Sequence, residues 1–342
     1  MNEKDFLTSL DFSGIDVFWK IMEKLEREEY PTEAEWKELF ATPGYRTLLK
    51  QEFSPEFFKE KFILAFMPSK GDDRENTIKT GRDTLYLPHY VRVRNSRELI
   101  VKFLNSLDPS QLLKKAVQAA FSLLPPNSGF NKANVPKVAF VIFKNDARGG
   151  CDPIVMDALA SMEWGDLSLF LGHEFHHFFR NKLPFALNFL DSGTIETCLI
   201  NTIISIETEG IADLINMDQL SPAEAWIQRQ NRYKHLLDLV PNSIGYLDDW
   251  VVHNFSRFSN VDQEECNALS SEISDSGHQM GYFMAKAIMR HFFKKRLIAT
   301  VGKPFAFFNL YQDAANRDRD LPLLSETFQK ILLNLEKKYL IN

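Results

Sequence analysis

Residues 171–180 read LGHEFHHFFR, and this stretch limits what the chain can fold into more than any other. Leu171, Phe175, Phe178 and Phe179, with Leu169 and Phe170 just before, make a helix here apolar on most faces, so it must be buried. The same stretch carries three histidines, a glutamate and an arginine. Burying such groups without partners is costly, so the fold must pair or coordinate them.

Two of these histidines share a face. Residues four apart on an α-helix differ by about 40° around the axis, so the His173 and His177 nitrogens can converge on one ion. Glu174 lies about 100° from His173, off the ligand direction but within reach of a water beside that ion. A general base belongs there, because zinc brings the pKa of water toward neutral and an adjacent carboxylate can take the proton. His176 points elsewhere and reads as a packing or supporting residue.

A catalytic zinc takes three protein ligands and keeps one position open. ETEGIADLINMD at 207–218 supplies a third candidate in Glu209, with Asp213 four positions on and on the same face. Asp213 could then accept the second N–H of a ligand imidazole. Gly210 and Ala212 are small enough to let the motif helix approach. Glu207 stands about 160° from Glu209, on the opposite face. Farther along, DSGHQMGYFMAKAIMRHF at 275–292 puts His278 and Tyr282 four apart near a helix start. Water attack on an amide makes an oxyanion, and donors aimed at it from beside the metal supply much of the rate. Gly277 and Gly281 would let a substrate backbone come close.

HEFHH followed by EGIAD resembles the gluzincins, thermolysin-like zinc peptidases with H-E-x-x-H and a downstream E-x-x-x-D. The surrounding text, from PGY at 43–45 to GYFMA at 281–285, is most similar to an uncharacterised bacterial group of predicted zinc-dependent peptidases. The resemblance implies His173, His177 and Glu209 as metal ligands, Glu174 as base and Asp213 as partner of a ligand histidine. It implies His278 and Tyr282 as donors to the tetrahedral intermediate. It also implies a substrate lying along an edge strand before the motif helix, here 154–160 or 137–143, with Gly149 and Gly150 at the cleft rim. Residues 178–208 separate His177 from Glu209, a longer stretch than thermolysin-like enzymes usually have. A metzincin would need Gly and His where Arg180 and Leu183 stand, and no inverted H-x-x-E-H occurs.

Around these motifs the periodicity is mostly helical, in 14–27, 32–41, 55–66, 95–106 and 109–124, then in 166–181, 186–200, 202–217, 222–238, 243–258, 277–295 and 322–339. Pro184, Pro222, Pro241 and Pro304 read as breaks. Polar GDDRENTIKTGRD at 71–83 reads as a loop and PPNSGFNKANVP at 125–136 as a boundary. KVAFVIF at 137–143 and residues 154–160 read as strands around the turn-like NDARGGCDP. The expectation is an α+β fold, predominantly α-helical, with a small β-sheet packed against the motif helix. Three parts are expected: a helical unit at 1–130, a zincin-like core at 131–220, and a helical unit at 221–342 completing the cleft.

Net charge is −6 with a pI of about 5.8, and no Lys/Arg stripe interleaved with aromatics stands out, so nucleic acid is not an expected partner. No run of about 18 uncharged apolar residues occurs, and MNEKDFLTSLDFSGIDVF lacks a secretory core. Cys151, Cys198 and Cys266 are far apart and odd in number, which suits separate thiols in a reducing compartment. The expected protein is soluble and cytoplasmic, with no membrane partner; it takes Zn2+ and a peptide or protein substrate. Two other classes stay open. A non-catalytic zinc-binding or helical scaffold differs in its metal content or activity, and a di-iron carboxylate bundle needs a second Glu-x-x-His, for which only Asp275-x-x-His278 stands in.

Overall fold

The computed structural model describes residues 10–126, 135–183, 194–218, 224–257, 263–273 and 277–340. These residues are predominantly helical with one small sheet, as expected. They form two compact units, Met1–Gln118 with Asn131–Phe178, and Ala119–Phe130 with Phe179–Asn342.

In the first unit β1 (Leu10–Asp11) precedes α1 (Ser13–Glu26), α2 (Glu33–Ala41), α3 (Pro43–Gln51), α4 (Pro55–Phe66), α5 (Gly71–Lys79), α6 (Tyr86–Asn95), α7 (Arg97–Ser106) and α8 (Pro109–Phe121), whose residues from Ala119 on fall in the second unit. Then come β2 (Val138–Val141), β3 (Ala147–Arg148), β4 (Ile154–Asp157), α9 (Ala158–Glu163) and the motif helix α10 (Leu167–Arg180), whose last two residues fall in the second unit. Local chemistry starts several helices. Thr32 and Glu35 make a reciprocal capping box on α2, and Pro55 opens α4 behind the Ser54 cap, where its missing N–H is no loss.

The sheet order is β1-β2-β4-β3, with β1, β2 and β4 parallel and β3 antiparallel to β4. β2 and β4 are buried throughout, as strands covered on both faces must be. Tyr45 of α3 and Tyr90 of α6 donate their hydroxyls to the carbonyls of Ile142 (2.7 Å) and Phe143 (2.8 Å), tying both helices to the end of β2. Burial holds both phenols well above their usual pKa. His89 meets Asp157 at 3.0 Å, and Asp157 also accepts the Phe143 and Ala160 amides at 2.9 Å each. One buried carboxylate thus joins α6, the end of β2 and the start of α9. Phe18 of α1 and Phe58, Phe62 and Phe66 of α4 form ring contacts at 5.2 to 6.0 Å, each contributing roughly 0.5–1.5 kcal/mol beyond its buried area.

Two expectations fail here for local reasons. The polar stretch read as a loop at 71–83 contains α5. Asp72 and Asp73 in its first turn and Lys79 in its last suit the helix dipole, and Arg74 donates to the Ala65 carbonyl at 3.0 Å. Residues 154–160 are not one strand, because the Asp157 side chain ends β4 by capping α9.

The second unit holds α11 (Ile195–Asp213), α12 (Glu224–Arg257), α13 (Gln263–Glu272), α14 (His278–His291), α15 (Lys294–Ile298), α16 (Pro304–Ala315) and α17 (Glu326–Tyr339). α11 and α14 pack at backbone contact: a Cβ on Gly210 would lie 2.0 Å from the Gly281 carbonyl carbon, and one on Gly281 would lie 2.0 Å from the Ile206 oxygen. The space beside Gly210, expected to admit the motif helix, is taken by α14. Gly281, expected to face substrate, faces α11, and so does Gly277, whose backbone lies against Ile206. α12 continues past Pro241, expected to break it. One intrahelical hydrogen bond is lost there, and packing on α14 and α17 offsets the loss.

The helix expected at 186–200 starts on residues outside those described, and Ile195–Asp213 is one helix where two were expected. Cys198 and Cys266, expected as separate thiols, are joined by a disulfide with Cα atoms 5.9 Å apart, while Cys151 is free. Cysteine usage therefore gives no support to a reducing compartment. No helix among the described residues is long and apolar enough to cross a membrane.

Candidate metal centre

α10 carries the motif histidines and Glu174. Asp166 accepts the Ser168 amide at 2.8 Å at the helix start, and Trp164 stacks on Phe170 with centroids 3.8 Å apart, which anchors the first turn. One turn farther on, the His173 and His177 rings stand 4.5 Å apart and their Nε2 atoms 2.9 Å apart. Two zinc–nitrogen bonds of about 2.0–2.1 Å can span a separation of that order.

Glu174 is buried, and the backbone of Gly149 lies against it. A Cβ at 149 would stand 2.5 Å from Glu174 Oε2 and 2.9 Å from its carbonyl oxygen, so only glycine leaves the glutamate where it is. Gly149 directly follows β3, and β3 is one edge of the sheet, with β1 at the other. This corrects the expected substrate strand. β2 and β4 have a partner on each side, so neither 137–143 nor 154–160 offers a free edge; β3, hidden in a turn-like stretch, does. Nearby, burial raises the Cys151 thiol pKa, with the Glu174 and Asp152 charges adding to the effect, so the thiol is a poor nucleophile.

The other candidate residues stand on α11 and α14. His278 Nδ1 donates to Asp213 at 3.0 Å, and His278 Nε2 lies 3.3 Å from Glu209 Oε2. The contact at Gly210 and Gly281 sets α14 on α11 at this level. Asp213 also accepts the Tyr233 hydroxyl at 3.1 Å. Burial first, and then Asp213, push the Tyr233 phenol far above its usual pKa, so it stays a donor. The Tyr233 ring meets the Tyr282 ring at 6.0 Å. No sequence signal marks Tyr233, which comes from α12, a different helix without a motif. Tyr282, expected beside His278, donates its hydroxyl to Asp218, which Lys286 also holds at 3.0 Å.

Glu207 has a different task. It is fully buried, paired with Arg180 and accepting the Gly302 amide at 2.8 Å. This leaves Glu209 as the solvent-accessible carboxylate of the two, as helix geometry required.

Among the described residues two groups could hold a cation, His173 with His177 and Glu209, or His173 with Asp213 and His278. Imidazoles with carboxylates make the nitrogen–oxygen set that zinc accepts, and Asp213 already orients one of the imidazoles, so the residues fit the metal. Residues 36–320 match the model of a family described as "Putative zinc dependent peptidase (DUF5700)". The chain belongs to this family. The metal named by that description is zinc. No curated protein and no solved structure matches the chain.

Proposed function

We propose that this family member is a peptidase of the gluzincin type in which His173, His177 and Glu209 hold one zinc and Glu174 is the general base. The observation that carries the proposal is the imidazole pair 2.9 Å apart on one face of α10, with Glu174 held beside it by Gly149. Bound there, zinc supplies a Lewis acid that lowers the pKa of an adjacent water and polarises the scissile carbonyl. Glu174 takes the proton of the attacking water and delivers it to the departing amine. The free edge of β3 offers backbone hydrogen bonds to an extended peptide, which brings a scissile amide past Gly149 to Glu174. His278 is the preferred donor to the developing oxyanion: Asp213 accepts from its Nδ1, and the ring in its doubly protonated form donates from Nε2, on the Glu209 side. Tyr282 could join only after leaving Asp218.

Metal analysis and one substitution test this. Protein purified without chelator should carry close to one zinc per chain, and His177→Ala should carry none. Glu174→Gln should keep its zinc while activity on any peptide the wild type cleaves falls by about 10²–10⁴-fold. Wild-type protein that neither holds nor takes up zinc overturns the proposal. Loss of zinc from Glu174→Gln would make Glu174 a ligand and favour the di-metal carboxylate alternative.

A further inference from the structure

The second unit carries a feature unrelated to the metal centre. Between Asp275 and Asp313 the sequence has no acidic residue, although the whole chain is acidic; the stretch contains Lys286, Arg290, Lys294, Lys295, Arg296 and Lys303. Most of this charge is concentrated in RHFFKKR at 290–296, a short run in which cations do flank aromatics.

The fold displays that run at a turn. α14 ends at His291, α15 begins at Lys294, and Phe293 between them is 87% exposed, the most exposed large apolar side chain among the described residues. Met289, one turn earlier, is also exposed. The preceding ring, Phe292, has two guanidinium groups against it, Arg296 and Arg317, each 4.4 Å from its centroid. Nearby acids are few and already engaged: Asp318 accepts from His291 at 2.9 Å and pairs with Arg290 at 3.5 Å, and Asp313 is 3.9 Å from Arg296. Lys294 and Lys295 are exposed and make no ion pair with a described residue.

We propose that this turn docks on an anionic lipid surface, with Phe293 entering the interface and Lys294, Lys295 and Arg296 meeting the headgroup phosphates. An apolar ring held in water beside several cations is unfavourable alone and favourable where hydrocarbon lies beneath negative charge. Lysine suits this position, because its stem can lie along the apolar boundary while its ammonium group stays in the headgroup layer. A single-stranded nucleic acid fits less well. It would follow a track of cations with several open rings for stacking, whereas the cations here crowd one turn and Phe292 is already engaged by two arginines.

The test is co-sedimentation of the full chain with vesicles of phosphatidylcholine, with and without phosphatidylserine, at low and high salt. Binding is expected only with phosphatidylserine and should weaken with salt. Lys294→Gln and Lys295→Gln should each weaken it on the order of fivefold, the effect of about one surface charge. Phe293→Ser should weaken it while leaving the salt dependence in place. All three side chains are exposed, so an unchanged thermal midpoint will show that each variant is folded. The proposal is overturned if the wild type stays in the supernatant with phosphatidylserine vesicles at low salt, or if the Lys294→Gln/Lys295→Gln double variant binds as well as wild type. Binding to a single-stranded oligonucleotide but not to vesicles would reassign the cluster and overturn it too.

Discussion

Gly149 decides where Glu174 stands. Because a methyl group at 149 would overlap both the Glu174 carboxylate and its carbonyl oxygen, Gly149→Ala must push Glu174 or its helix turn aside. The expected result is a loss of turnover on any cleaved peptide with zinc content unchanged, since the atoms nearest the new methyl group all belong to Glu174 and not to the two proposed ligand histidines. Turnover at the wild-type rate would show that the carboxylate has freedom to reach its water from elsewhere. The two histidines and Glu174 were legible in the sequence because they lie within about one helical turn, where periodicity alone fixes which side chains converge. Tyr233 and the Arg180–Glu207 pair were not, because each partner is brought in from far along the chain and neither has a local pattern.

α11 shows how one helix divides its faces. Glu207 faces inward to Arg180, Gly210 makes room for α14, and Glu209 and Asp213 face His278. Glu207→Gln should therefore destabilise the fold, because the buried Arg180 loses its counter-charge, a change typically worth about 3–5 kcal/mol. Glu209→Gln should leave stability nearly intact and weaken zinc binding instead. Denaturant midpoints and zinc titrations on both variants separate the two roles, and equal loss of zinc affinity would show that the faces are assigned wrongly. A second helix-level prediction concerns α2. Hydrogen bonding to Lys24 and then to Thr32 holds the Glu35 carboxyl at about 2, below its usual 4.5. A depressed pKa stabilises the folded state above the unfolded value, and that contribution is lost as pH falls through the folded one. The stability difference between wild type and Glu35→Gln should thus be full above about pH 4.5 and vanish toward pH 2, as followed by urea unfolding across that range. At this scale the sequence was readable wherever an apolar stripe marked a helix. It misled at α5, which has no such stripe, and at Pro241, where tertiary packing outweighs the lost hydrogen bond.

The α+β class with a minor sheet followed from periodicity over the whole chain, but two features could not. Which strand lies at the sheet edge depends on pairings that no single strand encodes, and the link from Cys198 to Cys266 depends on how α11 and α13 meet. The metal-ligand proposal has its own consequence at this scale, because its residues lie far apart in sequence: His173 and His177 on α10, Glu209 on α11. Such a site is complete only in the native chain, so zinc should bind the native state in preference to the unfolded one. A ligand of that kind stabilises by roughly 2.7 kcal/mol at a hundredfold excess over its dissociation constant. Adding zinc to metal-free wild type should therefore raise its thermal midpoint, and the rise should grow with zinc concentration. Glu174→Gln should respond like wild type, since a base that does not ligate leaves the metal's affinity unaltered. His177→Ala should not respond. If its midpoint rises as much as that of wild type, the stabilising zinc sits on other residues, and the assignment of His177 fails even if the enzyme proves active.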